Sequence, residues 1–205
     1  MCITLTPLVS DTINATNRIA KMNAIKRPII VSVGGANASQ GTFADAAAFG
    51  EIIFNCTKGD GALDALKAAG EKNLNGKILV DVSNPLDFSK GMPPSLYPAL
   101  SNTNSLGEEI QKIFPGAKVV KALNTMNCLL MVNPAMVSGS HDLFMCGNDE
   151  AAKAKVTEIV KSFGWTSIID LGDITAARAT EGILPIWVRL MMKYQSPNFN
   201  FKIVK

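Results

Sequence analysis

From Thr42 onward the chain alternates between two hydrophobic rhythms. Short, nearly continuous apolar runs read as buried strands, and stretches with apolar residues three and four apart read as helices. Thr42 is placed to cap a helix over Phe43–Phe49, which Gly50 ends. Glu51–Thr57 reads as a buried strand, Lys58–Gly61 as a loop with Asp60 as N-cap, and Ala62–Ala69 as a helix stopped by Gly70. Asn75-Gly76 turns the chain into a strand over Ile78–Ser83. Asp87–Thr103 is a long connection whose Pro93, Pro94 and Pro98 exclude regular helix or central strand. Connections of that length in compact domains are usually functional or mobile.

Ser105 and Glu108 form a capping-box pattern ahead of a helix over Leu106–Phe114, and Pro115-Gly116 stops it. Lys118–Leu123 is a further strand, and Asn133-Pro134 marks a break. Asp142–Cys146 is a strand ended by Gly147. Asn148 or Asp149 caps a helix to Phe163, with Ala152, Val156, Ile159, Val160 and Phe163 on one face. Ser167–Asp170 is a strand with Leu171–Asp173 as its tip, and Thr175–Met192 is a last helix kinked at Pro185. Residues from Lys193 show no clear period. The first 28 residues are the hardest to read: a helical pattern over Asp11–Met22, a break at Arg27-Pro28, then a short strand over Ile29–Val33 ending at Gly34-Gly35. Repeated alternation of strand and helix argues for an α/β fold, a doubly wound parallel sheet with both faces covered, in a single domain.

Composition agrees with a packed core. The 205 residues are 47% hydrophobic and 18% charged, and no apolar run approaches the roughly 20 residues of a membrane helix. A net charge of +3 without a Lys/Arg block points away from nucleic acid. The start, Met1-Cys-Ile-Thr-Leu-Thr-Pro, lacks the basic head and apolar run of a signal peptide. Cys2, Cys56, Cys128 and Cys146 form no C-x-x-C pair, which suggests reduced thiols in a cytoplasmic protein rather than a zinc site or disulfide framework. The sequons at Asn14 and Asn55 are then chance matches.

Candidate chemistry concentrates in Lys77–Asn127, where two strands run into polar, turn-forming tips. Ligands of open α/β sheets bind outside the carboxyl ends of the strands. No G-x-G-x-x-G string is present; Gly59-Asp-Gly-Ala-Leu-Asp64 is the nearest approach, and Asp60 would repel a phosphate there. The glycine-rich Gly34–Gly41 has the wrong spacing and reads as a turn. His141, the single histidine, lacks a nucleophile motif, no G-x-S-x-G occurs, and no metal-ligand spacing is present. What remains is three tips: Cys56-Thr57-Lys58, Ser83-Asn84-Pro85-Leu86 and Asn124-Thr125-Met126-Asn127. They offer hydrogen bonds and an apolar slot but no nucleophile, which suits hydride transfer to or from a bound cofactor. The same residue types also dominate ordinary turns.

From about Val33 to Met192 the chain resembles the NADP-dependent oxidoreductases related to coenzyme F420:NADP oxidoreductase. The resemblance is carried by Gly41-Thr-Phe-Ala-Asp-Ala-Ala47, Asp81-Val-Ser-Asn-Pro-Leu-Asp87, Asn104–Glu108, Val119-Val-Lys-Ala-Leu-Asn-Thr125, His141–Phe144, Asp170–Asp173, Thr175–Arg178 and Leu184–Leu190. The reductase domains of membrane ferric reductases are more distant relatives of the same fold. The resemblance implies a Rossmann-like domain that binds NADP(H) and passes a hydride to or from a small-molecule acceptor such as F420 or a flavin. By motif, Cys56, Thr57, Lys58, Ser83, Asn84 and Pro85 would hold the dinucleotide. Leu86, Asn124, Thr125, Met126 and Asn127 would line the acceptor pocket. The helix around Thr175–Leu190 would close that pocket or form a homodimer surface. Residues 1–32 match neither the family's first strand nor its fingerprint, so the strand-helix-strand unit there is expected to be atypical, incomplete or replaced, and NADP affinity weakened. The expected organisation is an atypical segment over 1–32, the oxidoreductase domain over 33–193 and a tail over 194–205. Two other readings stay open: a non-catalytic member acting as a binding or interaction domain, and a nucleotide such as S-adenosylmethionine held by Gly59-Asp-Gly61.

Overall fold

Neighbouring residues of each central strand go to opposite faces of the sheet. Ile53, Leu79 and Val119 pack in one buried cluster, whereas Phe54, Val80 and Val120 pack in another. The computed structural model describes residues 2–5 and 41–205. The helix expected over Asp11–Met22, the break at Arg27-Pro28, the strand over Ile29–Val33 and all but the last residue of the Gly34–Gly41 turn lie outside them.

The described chain runs β1 (Cys2–Leu5), α1 (Phe43–Phe49), β2 (Ile52–Asn55), α2 (Gly59–Ala69), the short α3 (Glu71–Leu74) and β3 (Ile78–Asp81). A two-stranded ladder of β4 (Leu86–Asp87) and β5 (Ser95–Leu96) follows, then α4 (Leu106–Ile113), β6 (Lys118–Ala122) and α5 (Cys128–Val132). The remainder is β7 (Leu143–Gly147), α6 (Glu150–Ser162), β8 (Ile168–Asp170), α7 (Ala177–Gly182) and α8 (Leu184–Tyr194). Among the described residues the main sheet has the order β1-β2-β3-β6-β7-β8. Its pairs are parallel except β6–β7, which is antiparallel.

The architecture is therefore α/β and doubly wound, with two corrections to the sequence reading. The sheet is mixed: β7 enters against β6, and nothing in the composition of Leu143–Gly147 marks strand direction. Secondly, Cys2–Leu5 is a strand, parallel to β2. Among the described residues it pairs with β2 alone, at one end of the sheet order. Its residues mix Cys and Thr with Ile and Leu and run into Thr6-Pro7, so it lacks the continuous apolar run that marks the other strands.

The helices cover both faces. Ala46 and Ala47 of α1, Ala62, Leu66 and Ala69 of α2, and Leu106 and Ile110 of α4 seal one side. Ala152, Val156 and Val160 of α6, with Trp165, seal the other. The caps agree with sequence: Thr42 accepts from Asp45 N within a capping box, Ser105 from Glu108 N, and Asp149 from Ala152 N. The predicted final helix is divided into α7 and α8 around Ile183, with Pro185 in the first turn of α8, where its missing N–H is harmless. The last residues return to the sheet: Asp142 N donates to Phe201 O at 2.9 Å, and Ile203 N donates to the Asp142 carboxylate at 2.6 Å.

The expected loop Lys58–Gly61 is instead the start of α2, with Lys58 rather than Asp60 at the cap. Gly59 makes this possible. A Cβ built there would lie 1.9 Å from the Asn84 carbonyl oxygen, so only glycine lets the helix start rest against the β3 tip. Asp60 lies in the first turn, ion-paired to Lys58 Nζ at 2.6 Å.

Candidate functional site

The carboxyl ends of β2, β3 and β6 lie side by side because these three strands are consecutive and parallel. The β2 tip is drawn in by Asn55. Its Oδ1 accepts from Thr57 Oγ1 at 2.6 Å, and its Nδ2 donates to Asp81 Oδ1 at 2.8 Å. Cys56 and Thr57 are half-buried, while Lys58 is exposed with its ammonium 5.5 Å from the Phe88 ring centre.

At the β3 tip, Ser83 is buried and donates its hydroxyl to Asp81 Oδ1 at 2.6 Å. Asn84 follows, then Pro85, whose carbonyl accepts from Tyr97 N at 3.0 Å, and Leu86, whose N–H returns to Asn84 O at 2.9 Å.

At the β6 tip, Leu123 adopts φ 64°, a left-handed conformation that a bulky side chain rarely takes. It costs on the order of 1–3 kcal/mol and persists only where surroundings over-determine it. Here they do. Asn124 donates to Asn84 Oδ1 at 2.9 Å and to Thr180 O at 3.0 Å, and Asn84 donates to Asn124 O at 2.8 Å. Thr125 is buried. Its Oγ1 and Asn124 Oδ1 are buried polar atoms that find no partner among the described residues. Met126 turns into the core beside Val80 and Leu130. Asn127 caps α5 through Oδ1 and donates from Nδ2 to Pro197 O at 2.7 Å, joining this tip to the last residues of the chain.

Below the tips lies a charged cluster that pattern reading missed. Lys121, Asp81 and Glu181 are fully or almost fully buried. Lys121 Nζ lies 2.7 Å from Asp81 Oδ2, 2.7 Å from Glu181 Oε1 and 2.5 Å from Ser83 O. Glu181 also accepts from Leu106 N at 2.8 Å and Gly107 N at 3.0 Å, the opening amides of α4. The surplus negative charge of two carboxylates against one ammonium thus meets a helix N-terminus. Burial works against the Lys121 charge, but the Asp81 and Glu181 carboxylates outweigh it and hold its pKa above the usual lysine value. Burial pushes Glu181 above the ordinary carboxylate range despite the neighbouring Lys121. Burial likewise pushes the Cys146 thiol, the register partner of Lys121, up to about 12.

One signal in the sequence could have found this cluster. Asn55, Asp81 and Lys121 each follow an apolar strand run, and they fall in one row across three strands. A charge at a buried strand position needs a partner. Chemically, the tips present amide and hydroxyl groups held in fixed positions. Among the described residues no cluster of His, Cys, Asp and Glu is arranged to hold a metal ion, and no helix is long and apolar enough to cross a membrane.

Comparison with known proteins relates the chain to reductases. No protein-family model matches the chain. A solved structure from Arthrobacter sp. FB24, named as a putative F420-dependent NADP-reductase, superposes with a TM-score of 0.78 at 56% sequence identity, over 80% of this chain and 74% of that one. The F420-dependent NADP reductase of Methanocaldococcus jannaschii is 29% identical over 161 residues, 78% of this chain and 70% of its own length. The metalloreductase STEAP3 of Rattus norvegicus is 34% identical over 119 residues, 56% of this chain but only 22% of that protein.

Proposed function

The chain belongs to the F420-dependent NADP reductase family, and from that membership we propose that it transfers a hydride between NADP(H) and a flavin-like or deazaflavin acceptor of the F420 type. Its relatives make it an NADP-dependent oxidoreductase with a Rossmann-like fold. The observation that carries the finer reading is the pair of orphaned acceptors at the β6 tip. Buried polar atoms are almost always hydrogen-bonded. Asn124 Oδ1 and Thr125 Oγ1 lack partners among the described residues, at the strand ends where an α/β sheet binds its ligand.

These residues fit the nicotinamide end of the cofactor. Asn124 Oδ1 can accept from a carboxamide N–H, and Thr125 Oγ1 can either donate or accept. Asn84 and Pro85, held by Asn124 and Tyr97, would wall one side of that ring. Leu86 and Asn127 would border the acceptor, with Met126 supporting them from the core. Cys56, Thr57 and Lys58 would lie along the dinucleotide, where Lys58 brings an exposed positive charge. The α2 N-terminus does not fit a phosphate: Asp60 occupies its first turn and Gly59 is closed against Asn84 O. Bound NADPH supplies the hydride; the protein side chains orient its ring and exclude water. The absence of a G-x-G-x-x-G string favours an affinity for NADPH below that of members carrying one.

On the same reading the chain works in the cytoplasm with reduced cysteines, and exposed Ile186, Met192 and Tyr194 of α8 contribute to a homodimer, which sedimentation would reveal. The central test is a stopped-flow mixture of enzyme, NADPH and F420, with FMN as a parallel acceptor. NADPH-dependent bleaching of F420 is expected. Absence of turnover with both acceptors at saturating NADPH would remove the proposal.

A further inference from the structure

We infer that Lys121 is a positioning residue for the hydride-transfer site, setting through Ser83 and Glu181 where Asn84 and Asn124 stand. The inference rests on the functional reading above for its catalytic consequence, but its geometry stands independently. Lys121 is one of the largest fully buried side chains, and its ammonium bonds the Ser83 carbonyl, the residue before Asn84, at 2.5 Å. Its second bond fixes Asp81. The other oxygen of that carboxylate holds Ser83 Oγ at 2.6 Å, Ser83 N at 3.2 Å and Asn55 Nδ2 at 2.8 Å. Its third bond fixes Glu181, next in the chain to Thr180, whose carbonyl takes the Asn124 amide at 3.0 Å. One ammonium therefore ties the β2 tip, the β3 tip and α7, and through α7 the β6 tip.

Plain structural support would not need this arrangement. An exposed pair already joins α4 to α7 on the outside, where Arg178 Nε donates to Glu108 Oε2 at 2.8 Å. A buried triad is not a reliable source of net stability, since apolar replacements of similar shape are often as stable. What an apolar replacement cannot supply is the bond to Ser83 O. Misplacing a reacting group by about 1 Å costs on the order of a hundredfold in rate.

The test compares Lys121→Met, the charge-balanced double variant Lys121→Met/Asp81→Asn, and Glu108→Gln as a control on the same helices. The double variant keeps the fold testable, because it removes one positive and one negative charge together. Three readouts are taken on the full chain: thermal unfolding, the side-chain amide signals of Asn84 and Asn124 in a nitrogen–proton correlation spectrum, and single-turnover hydride transfer from NADPH to F420. The expected result for the double variant is a cooperative transition, displaced Asn84 and Asn124 signals, and hydride transfer slowed on the order of tenfold to a hundredfold. NADPH affinity should change much less than the rate. Glu108→Gln should leave the signals and the rate unchanged. If the double variant restores wild-type signals and rate, charge balance alone mattered and the inference is overturned. If the wild-type chain does not reduce F420, the functional proposal falls, and the amide signals still decide whether Lys121 positions Asn84 and Asn124.

Discussion

Asn84 and Asn124 hold each other across two strand tips, each donating a side-chain amide to the other residue, at 2.8 and 2.9 Å. The pair closes the gap between β3 and β6, and Thr180 O fixes its outer edge. Replacing Asn124 with Ala strands Asn84 Oδ1 and Thr180 O. The expected loss is about 1–3 kcal/mol in urea unfolding. In a double-mutant cycle with Asn84→Ala the two changes should couple by ~0.5–3 kcal/mol. Purely additive losses would mean that the amides do not act as a unit.

Thr125 gives the opposite balance of stability and function. Its hydroxyl is buried and finds no partner among the described residues, so removing it relieves a desolvated group instead of breaking a bond. Thr125→Val should unfold at the same urea concentration as wild type or at a higher one. If the hydroxyl receives a ligand, the same variant should bind NADPH or F420 more weakly, by roughly the tenfold that about 1.4 kcal/mol represents. Unchanged binding of both ligands would detach Thr125 from the site.

Gly59 couples a helix start to that site. Adding one methyl places it 1.9 Å from the Asn84 carbonyl oxygen, against backbone that cannot rotate away. Overpacking of this kind typically costs about 1–3 kcal/mol. Gly59→Ala should lower the urea midpoint and weaken NADPH binding together, since α2 and Asn84 must move apart. Gly61→Ala, with open space at its Cβ position, should do neither. Equal effects at the two glycines would rule out the close approach as the cause.

These residues also show what the sequence could and could not convey. Local signals were legible: Thr42, Ser105 and Asp149 cap the helices they were expected to cap, and Ala152, Val156 and Val160 form the buried face of α6. The three strand tips were identifiable because small polar residues directly follow apolar runs. Gly59 was misread because Gly-Asp-Gly locally resembles a loop, whereas its helix is selected by contact with the β3 tip. α5 was missed because its five residues are too short for a helical period. Lys121 reads as an ordinary strand residue because its partners are tertiary. Asp81 is on another strand and Glu181 on a distant helix, so no window of sequence contains the cluster.

Cysteine reactivity should separate the described thiols. Cys128 is exposed, Cys56 is half-buried, and Cys146 is buried with its thiol pushed up to about 12. Thiolate is the reactive form, so Cys146 combines inaccessibility with an almost wholly protonated sulfur at neutral pH. Native-state alkylation followed by peptide mapping should modify Cys128 first and leave Cys146 untouched until the chain unfolds. Early modification of Cys146 would contradict its burial beside Lys121.

Asp142 fastens the end of the chain to the start of β7, and its titration should release it. The carboxylate accepts from Ile203 N at 2.6 Å, Ser167 Oγ at 2.6 Å and Lys202 Nζ at 2.9 Å. Burial alone would raise its pKa, but these donors together outweigh it, so the folded value lies below the usual 3.8. The unfolded chain then binds this proton more readily than the folded one. The stabilisation is complete above the unfolded value and is lost as pH falls through the folded value. Hydrogen exchange at the Ile203 amide, measured from neutral pH down into the acid range and corrected for intrinsic rates, should show protection falling only below the ordinary carboxylate range. Asp142→Asn should show the loosened state already at neutral pH and little further change on acidification, at a cost of about 1–3 kcal/mol. Since Asn127 Nδ2 also bonds Pro197 O, the variant should further shift the Asn127 side-chain amide signal. An Ile203 amide equally protected in variant and wild type would exclude Asp142 as the fastening.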